Sequence, residues 1–471
     1  MKKILLIILA ISSHPFSYAT LWQVGATRTY TKPSLVSNLV QNGDTVEIDA
    51  GVYALDVARW SANNLLLKGV NGMAKLPSGG TTYGGKAIWV IAGDNTTVEN
   101  IEFSEAACVD FNGAGIRQEG KNLTVRNCYF HHNEDGILAG TVNPSKILIE
   151  YSEFGYNGYG DGYSHNLYIN HVDTLIFQYN YTHHCKVGHE IKSRANVNFI
   201  LYNRISDEDT ATASRSIDLP NGGPAYIIGN VIEQGAFSQN SNIIGYGMEG
   251  LSNPSPQEIF AINNTIVNNK SNGSFFQFGS GTSLFKAYNN IIAGPGNFVS
   301  GNYPTTTDTM SNLISTNISS FNFVNVSILD CHLLNNTTLA NNAGTNPGTG
   351  NGTNLNPVME YQHPDSAVAR CVSGLLDIGA YEFCTPVTSI SSTTLLKPKS
   401  EIYPNPAKDW IQVNLPENEI ISLEIYSLEG IKLQRCDNNS LVDISQLPAG
   451  IYYLRINVKT KSVTKIFVKQ D

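Results

Sequence analysis

A short β-type segment that ends in asparagine recurs through the middle of this chain. The segments QYNYT, LYNRI, IGNVI, INNTI and YNNII place their asparagines at positions 180, 203, 230, 264 and 290. They are rich in β-branched and aromatic residues with a period of two, which argues against a helical repeat. A strand pattern repeated at this spacing, with variable insertions, predicts a solenoid of stacked coils. The asparagines would then form a column at a turn, since asparagine tolerates the left-handed conformation.

The two ends of the repeat region carry further signals. These are the segments SLVSNLVQNGDTVEIDAGVY (34–53) and DIGAYEF (377–383), which look like a capping helix with a first strand and like a closing segment. Both segments resemble the ends of the parallel β-helix of the pectate-lyase-like superfamily. The resemblance implies an all-β fold, with a right-handed parallel β-helix (solenoid) over residues 20–384. It says almost nothing about the substrate.

The chain begins with a typical export signal. Residues 1–19 combine two lysines, an apolar run and the small-residue site SYA, which predicts a secretory signal peptide cut after Ala19. Beyond it, no apolar run approaches the roughly 18 residues that a membrane helix needs, so we expect no transmembrane segment.

The C-terminal part differs in composition from the repeat region. A linker rich in serine and threonine, 385–400, precedes alternating strands over 401–471 that predict a small β-sandwich. Its motifs YPNPAKD, SLEGIKL and LPAGIYYLRI closely resemble the C-terminal sorting domain of type IX secretion cargo. The resemblance implies a protein that is secreted or held at the outer-membrane surface, with the type IX secretion machinery as a partner. The alternative for this region is a carbohydrate-binding module of similar fold.

Charge and cysteine content exclude some functions. The chain has 30 Lys and Arg against 39 Asp and Glu, a net charge of −9, which argues against a nucleic-acid partner. None of the seven cysteines shows the spacing of a CxxC metal site. Cys371 and Cys384 can close a loop in an oxidising compartment, whereas the others are interpreted as free thiols.

Stacking the coils brings scattered charges together. Each coil is aligned on an apolar residue predicted to point inward: Ile137, Leu167, Ile191 and Ile217. Residues at equal offsets from these anchors become neighbours about 4.8 Å apart. The aligned positions form a concentrated patch of ionisable residues on three coils, with Asn166 beside them: His165, Tyr168, His189, Glu190, Lys192, Arg194, Arg215 and Asp218. Such density is unusual in a chain with 15% charged residues, although solvated strand charges are the alternative.

The chemistry of these groups suits an anionic polysaccharide. β-Elimination of a uronate needs a neutralised carboxylate, a base at the adjacent carbon and a proton for the departing oxygen. We therefore predict a secreted or cell-surface polysaccharide lyase that acts on a uronate-containing polysaccharide. The predicted catalytic residues are Lys192, Arg215, His189, His165 and Arg194, with Lys192 favoured over His189 as the base. The predicted substrate-binding residues are Tyr163, Asn166, Tyr168 and Asp218.

A second resemblance concerns the same coils. The chondroitinase-B and alginate-lyase family places a lysine on one coil and an arginine on the next, near a calcium ion held by acidic residues. Lys192 and Arg215, with Glu190 before the lysine, are similar in order. The resemblance implies Glu190 as a metal ligand and calcium as the cofactor, with no other cofactor. This chain departs from the family in having fewer acidic residues at these positions.

Three other functions stay open at this stage. A glycoside hydrolase of the polygalacturonase type shares this fold, but its NTD, DD and RIK motifs are missing here. A uronate epimerase begins with the same proton abstraction as a lyase, so sequence does not separate the two. A non-catalytic β-helix adhesin or glycan-binding protein is the third, supported by the sorting domain and by the tyrosines of YSEFGYNGYGDGYSH (151–165).

Overall fold

The computed structural model describes residues 19–335, 338–371, 374–384, 402–413, 420–427, 432–437, 439–458 and 461–470. Residues 1–18 of the predicted signal peptide and the predicted linker 385–400 lie outside these ranges. Within them, no helix is long and apolar enough to cross a membrane.

Parallel strands stack in three columns and form the predicted solenoid. The first column runs through Leu21–Val24, Thr45–Val52, Leu66–Pro77, Thr97–Glu99, Leu123–Arg126, Lys146–Glu150, Thr174–Gln178, Val197–Leu201, Ala225–Ile228, Glu258–Ile262, Leu284–Tyr288 and Thr306–Met310. The second runs through Ile101–Ser104, Tyr129–His131, Glu153–Gly155, Tyr181–His183, Arg204–Ser206, Val231–Gln234, Thr265–Asn268, Ile291–Ala293 and Leu313–Ser315. The long strand Leu66–Pro77 pairs in both columns and joins them into one 21-stranded sheet.

The third column is a separate ten-stranded sheet, whose outer surface we call the groove face. Its strands are Ala58–Trp60, Ala87–Ile91, Ala114–Gln118, Asp135–Ala139, Leu167–Ile169, Ile191–Ser193, Ile217–Leu219, Asn242–Tyr246, Ser274–Phe278 and Asn297–Gly301. Strand alternation sends one side chain inward and the next outward. The predicted anchors Ile137, Leu167, Ile191 and Ile217 stand in register and are fully buried, which confirms the alignment of the coils.

The predicted asparagine column is present, and we call it the asparagine ladder. Its asparagines serve a different purpose from the one expected. The side-chain oxygen of Asn203 accepts from the backbone N–H of Asn180 at 2.9 Å, and its amide donates to the Phe177 carbonyl at 2.9 Å. The same links continue coil by coil through Asn230, Asn264, Asn290 and Asn312. The left-handed conformation falls on the residue before each ladder asparagine, as at Tyr179 and Tyr202. Asparagine is used here to bond the backbone between coils, not for its tolerance of positive φ.

The ends of the solenoid differ in detail from the sequence prediction. The expected capping helix is only a short 3₁₀ turn, Pro33–Leu35, and the strand Leu21–Val24 precedes the expected first strand Thr45–Val52. At the other end, DIGAYEF forms no strand. Its apolar side chains are buried in a capping cluster with Phe321 and Leu329, and the Cys371–Cys384 disulfide closes this region as the spacing allowed.

The remaining elements are short hairpins and a C-terminal unit. The capping region contains Ile318–Phe321, Phe323–Asn325, Val326–Ile328, Asp330–Leu333, Thr349–Gly350, Thr353–Asn354, Met359–Gln362 and Ser366–Ala369. The C-terminal unit has a three-stranded antiparallel sheet and a four-stranded one that share an apolar core, in agreement with the predicted sandwich. Their strands are Ile402–Tyr403, Trp410–Val413 and Leu441–Asp443, then Ile420–Tyr426, Lys432–Asp437, Gly450–Val458 and Lys461–Lys469.

Candidate functional site

The outward positions of the groove face form one continuous row. Strand pairing places Tyr168 beside Lys192 and Lys192 beside Asp218, as the alignment of coils predicted. The row continues in both directions along the helix axis. In order, it contains Arg59, Val90, Arg117, Leu138, Tyr168, Lys192, Asp218, Gly245, Gln277 and Ser300.

Lys192 of this row and Arg194, which follows the end of the same strand, converge on a carboxylate from a turn. Arg194 donates from Nε to the Tyr168 hydroxyl at 3.0 Å and from one terminal nitrogen to Asn221 Oδ1 at 2.6 Å. Its other terminal nitrogen lies 2.6 Å from Glu249 Oε2, and Lys192 Nζ lies 3.2 Å from Glu249 Oε1. The cations are 17% and 14% exposed at their side chains, whereas Glu249 is 45% exposed. Lys192 Nζ also lies 5.7 Å from the Tyr168 ring centroid. We call Lys192, Arg194, Tyr168 and Glu249 the cation cluster.

The ionised form of Glu249 is stabilised by this arrangement. Burial opposes ionisation, but the hydrogen bond from Arg194 and the charge of Lys192 together hold the pKa of Glu249 below its ordinary value. The carboxylate is therefore an anion that is held at the surface by two cations.

Arg215 belongs to the next coil and is held by other partners. Its guanidinium donates to Asp218 Oδ1 at 2.9 Å and to Gln277 Oε1 at 2.8 Å. Asp218 is 3% exposed at its side chain, and burial raises its pKa above the usual value despite the nearby Arg215. Neither residue makes a hydrogen bond to Glu249, so Arg194 and Arg215, both predicted to be catalytic, have different carboxylate partners.

His165 and His189 form a structural ladder beside the cluster. His165 Nδ1 accepts from the backbone N–H of His189 at 2.9 Å, and His189 Nδ1 accepts from that of Arg215 at 3.1 Å. The rings stack at 5.0 Å. Burial lowers the pKa of His165 to about 3 and that of His189 well below its usual value. Each neutral ring then carries its proton on Nε2, so the geometry leaves no lone pair for the predicted role of base.

The structure turns Asn166 and Glu190 into the solenoid, away from the groove face. Glu190 is fully buried, and it accepts from Asn166 Nδ2 at 2.5 Å, from the Thr182 hydroxyl at 2.7 Å and from the Cys185 backbone N–H at 2.9 Å. Burial raises the pKa of Glu190 to about 8. Asn166 is fully buried. The prediction that Asn166 contacts the substrate is therefore wrong.

The carboxylates near the groove do not fit calcium. Calcium takes six to eight oxygen ligands that converge on one point. Glu190 faces the interior, Asp218 is paired with Arg215, and Glu249 is paired with two cations. Among the described residues, no group of three or more His, Cys, Asp or Glu side chains is arranged to hold a metal.

A cavity of about 300 Å³ extends the groove toward the N-terminal coils. Charged and amide side chains line the cavity, together with Tyr168 of the cation cluster. The lining includes Lys86, Asp110, Asn112, Arg117 and Asn170. Tyr163, predicted to bind substrate, lies in the loop before the strand Leu167–Ile169 and is 80% exposed. A larger cavity of about 420 Å³ lies between the solenoid and the C-terminal unit and shares no lining residue with the groove.

Several groove residues were absent from the sequence prediction. Arg117 and Gln277 occupy the same offset as Lys192 on other coils, so a longer alignment of coils could have found them. Glu249 and Asn221 come from turns between strands. Turn lengths vary from coil to coil, and no offset marks these two positions in advance.

Comparisons with known proteins identify the two parts of the chain. Residues 51–232 match the family model of the right-handed β-helix region, and residues 401–470 match that of the secretion system C-terminal sorting domain. The sorting domain indicates a protein exported by the type IX system, either secreted or on the cell surface. No curated protein matches the chain.

Solved structures similar to the chain include several enzymes that, by their names, act on polysaccharides. Pectate lyase Pel9A is 14% identical, with a TM-score of 0.46, covering 78% of this chain and 97% of its own. The A-module of Azotobacter vinelandii mannuronan C-5 epimerase AlgE6 is 15% identical, with a TM-score of 0.34 and coverage of 58% and 91%. Pectin methylesterase from Aspergillus niger is 10% identical, with a TM-score of 0.24 and coverage of 64% and 87%. Similarity this low does not assign an activity to the chain.

Proposed function

We propose that this secreted β-helix protein is a polysaccharide lyase that cleaves a uronate-containing polysaccharide by β-elimination. One observation carries the proposal: Lys192 and Arg194, beside Tyr168, converge on a single carboxylate at the groove face. Two basic groups and a tyrosine hydroxyl grouped around one carboxylate are the groups that elimination from a uronate requires.

Arg194 is the group that neutralises the substrate carboxylate. Tyr168 and Asn221 fix two of its three nitrogens, and the third is directed at a carboxylate. A guanidinium held in this way needs no reorientation when negative charge develops on the substrate, which is the condition for electrostatic stabilisation of a transition state.

Lys192 and Tyr168 supply the proton transfers. Lys192, acting as the free amine, takes the proton from the carbon next to the carboxylate, and the electron pair of that C–H bond forms the new C=C bond. The C–O bond on the neighbouring carbon breaks, and its oxygen leaves with the electron pair and takes a proton from Tyr168. The Tyr168 oxygen accepts from Arg194 Nε, so its own O–H is free to donate.

Binding without catalysis is the second candidate, and one observation favours it. Lys192 and Arg194 are both already ion-paired with Glu249, an arrangement that a glycan-binding surface tolerates as well as an enzyme does. A hydrolase gains no such support, because inversion needs two carboxyl groups about 6.5–9.5 Å apart around the substrate, and Asp218 is buried against Arg215.

The test is the ultraviolet absorbance of unsaturated product during incubation of the purified protein with pectate, alginate and chondroitin. A lyase gives a rise on one of them, and Lys192→Ala should lower the rate about 100- to 10,000-fold, the range of a general base. Lys286→Ala is the matched control, since Lys286 also lies beside a tyrosine and a carboxylate, Tyr288 and Asp308, on a different column of strands.

The outcomes separate the candidates. New reducing ends without absorbance would indicate a hydrolase, and an altered uronate without chain cleavage would indicate an epimerase. Binding with no chemical change would leave the non-catalytic function. Full activity of Lys192→Ala would contradict the assignment of the base.

A further inference from the structure

We infer that Glu249 is a built-in occupant of the substrate-carboxylate subsite, and that an anionic sugar must displace its side chain to reach Lys192 and Arg194. The inference rests on the proposed function and adds how the site is gated and which sugars it admits. It assigns Glu249 no chemical step, because a carboxylate that covers both the base and the arginine would block elimination.

Glu249 contacts the two groups that the proposed function assigns to the substrate, namely Arg194, which takes the uronate carboxylate, and Lys192, which takes the proton. One oxygen lies 2.6 Å from a terminal nitrogen of Arg194 and the other lies 3.2 Å from Lys192 Nζ. The chemical group is the same as on the proposed substrate, and the side chains of both cations are largely buried. Glu249, by contrast, is 45% exposed at its side chain, so it has room to leave.

The turn that carries Glu249 is anchored by its backbone. The Glu249 N–H donates to the Pro220 carbonyl at 3.0 Å, and the Gly247 N–H donates to the Leu219 carbonyl at 2.9 Å. Further along the turn, the Asn253 N–H donates to the Asn221 carbonyl at 3.1 Å. These bonds attach the turn to the neighbouring coil, so opening needs only rotation of the Glu249 side chain and no loop movement.

The fixed turn makes the subsite selective by charge. A neutral sugar offers no anion to replace Glu249, so the ion pairs persist and the cations stay covered. A uronate brings its own carboxylate to Arg194, and this contact offsets the cost of separating Glu249 from the cations. The gate thereby favours anionic sugars without any contact between Glu249 and the sugar.

The test is Glu249→Gln, measured as binding by titration calorimetry at low ionic strength. The probes are oligogalacturonate, oligomannuronate and a chondroitin tetrasaccharide, with maltotetraose as the neutral probe. We expect at least one anionic probe to bind Glu249→Gln about tenfold more tightly than the wild type, with maltotetraose unchanged. Glu47→Gln is the matched control, because Glu47 is also ion-paired with a lysine, Lys68, and its loss changes the net charge equally.

The outcomes distinguish this inference from the proposed function. Tighter binding by Glu249→Gln without unsaturated product from either protein would support the gate and reject the lyase. Unsaturated product from the wild type, with binding by Glu249→Gln equal or weaker, would support the lyase and reject the gate, since Glu249 would then only position the cations. An equal gain in Glu47→Gln, or no binding of any anionic probe, would also reject the gate.

Discussion

The asparagine ladder and the cation cluster are built from the same coils, yet they hold polar groups in opposite ways. Asn203 is fully buried, and its hydrogen-bonding groups are satisfied by neutral neighbours on adjacent coils. Lys192 and Arg194 instead share an exposed anion, Glu249. Stacking alone therefore does not make a site, because it concentrates structural groups just as well. The cation cluster differs from the ladder in that its two largely buried cations are matched by a partly exposed carboxylate.

The two histidines show that nearness to the groove is not sufficient. His189 lies one coil from His165 and 3.6 Å from Asp218, but its Nδ1 is committed to the backbone of the next coil. His189 therefore links neighbouring coils, as the asparagine ladder does, although its alignment with Lys192 and the other charged residues suggested catalysis.

A large loss of activity should follow from removing Arg194 from the cation cluster. We expect Arg194→Ala to lower kcat/KM about 100- to 1,000-fold on the polysaccharide that is turned over, because removal of a fixed charged donor from a developing anion costs that much. Arg194→Lys should recover only part of it, since lysine lacks the planar fork that bonds Tyr168 and Asn221. Steady-state kinetics measure both, with Arg28→Ala, which removes an exposed ion pair, as the control.

A ladder substitution should do the reverse, lowering stability and leaving chemistry intact. We expect Asn203→Leu to reduce the free energy of unfolding by about 3 kcal/mol, since the Asn180 N–H and the Phe177 carbonyl lose their partner inside the solenoid. Denaturant unfolding measures the change, and activity per folded molecule should be unaltered. Asn302→Leu, at an exposed position, is the control and should change stability by less than about 0.5 kcal/mol. An equal loss of stability in both variants would contradict the claim that the ladder hydrogen bonds stabilise the solenoid.

The asparagine ladder and the groove face could be predicted from the sequence to different extents. The register of Ile137, Leu167, Ile191 and Ile217 was predictable because inward apolar residues repeat with a period of two inside each strand. Tyr168 and Lys192 followed from the same alternation.

The prediction failed at the corners between strands. Asn166 and Glu190 each precede a strand, at Leu167 and Ile191, where alternation does not apply. Both turn inward and join a buried hydrogen-bond network. Glu249 was out of reach for a related reason, because a turn of variable length brings it onto the cluster from two coils away.

The buried carboxyl group of Glu190 gives an effect on stability that depends on pH and that is smaller, per pH unit, than the effect of Asn203→Leu. Its folded pKa of about 8 lies above the ordinary value, so the folded state binds the extra proton and stability should fall as pH rises through this window. The slope is about 1.4 kcal/mol per pH unit for one such group. We expect Glu190→Gln to reduce the slope by that amount between about pH 5 and 8. Unfolding at several pH values measures it, and an unchanged slope would contradict the buried neutral form.

Tyr163 should give the smallest effect and mark the edge of the groove. Its side chain is 80% exposed, in the loop that leads into the strand carrying Tyr168. We expect Tyr163→Ala to leave stability unchanged within about 0.5 kcal/mol and to raise KM about fivefold at constant kcat, the loss of about 1 kcal/mol of uniform binding. Tyr303→Ala is the matched control, because Tyr303 is 76% exposed near the last coil. If both variants raise KM equally, the exposed tyrosines act as a general glycan surface and the groove ends at Tyr168. If only Tyr163→Ala does so, the substrate-binding surface extends from the cation cluster onto this loop, as the sequence predicted.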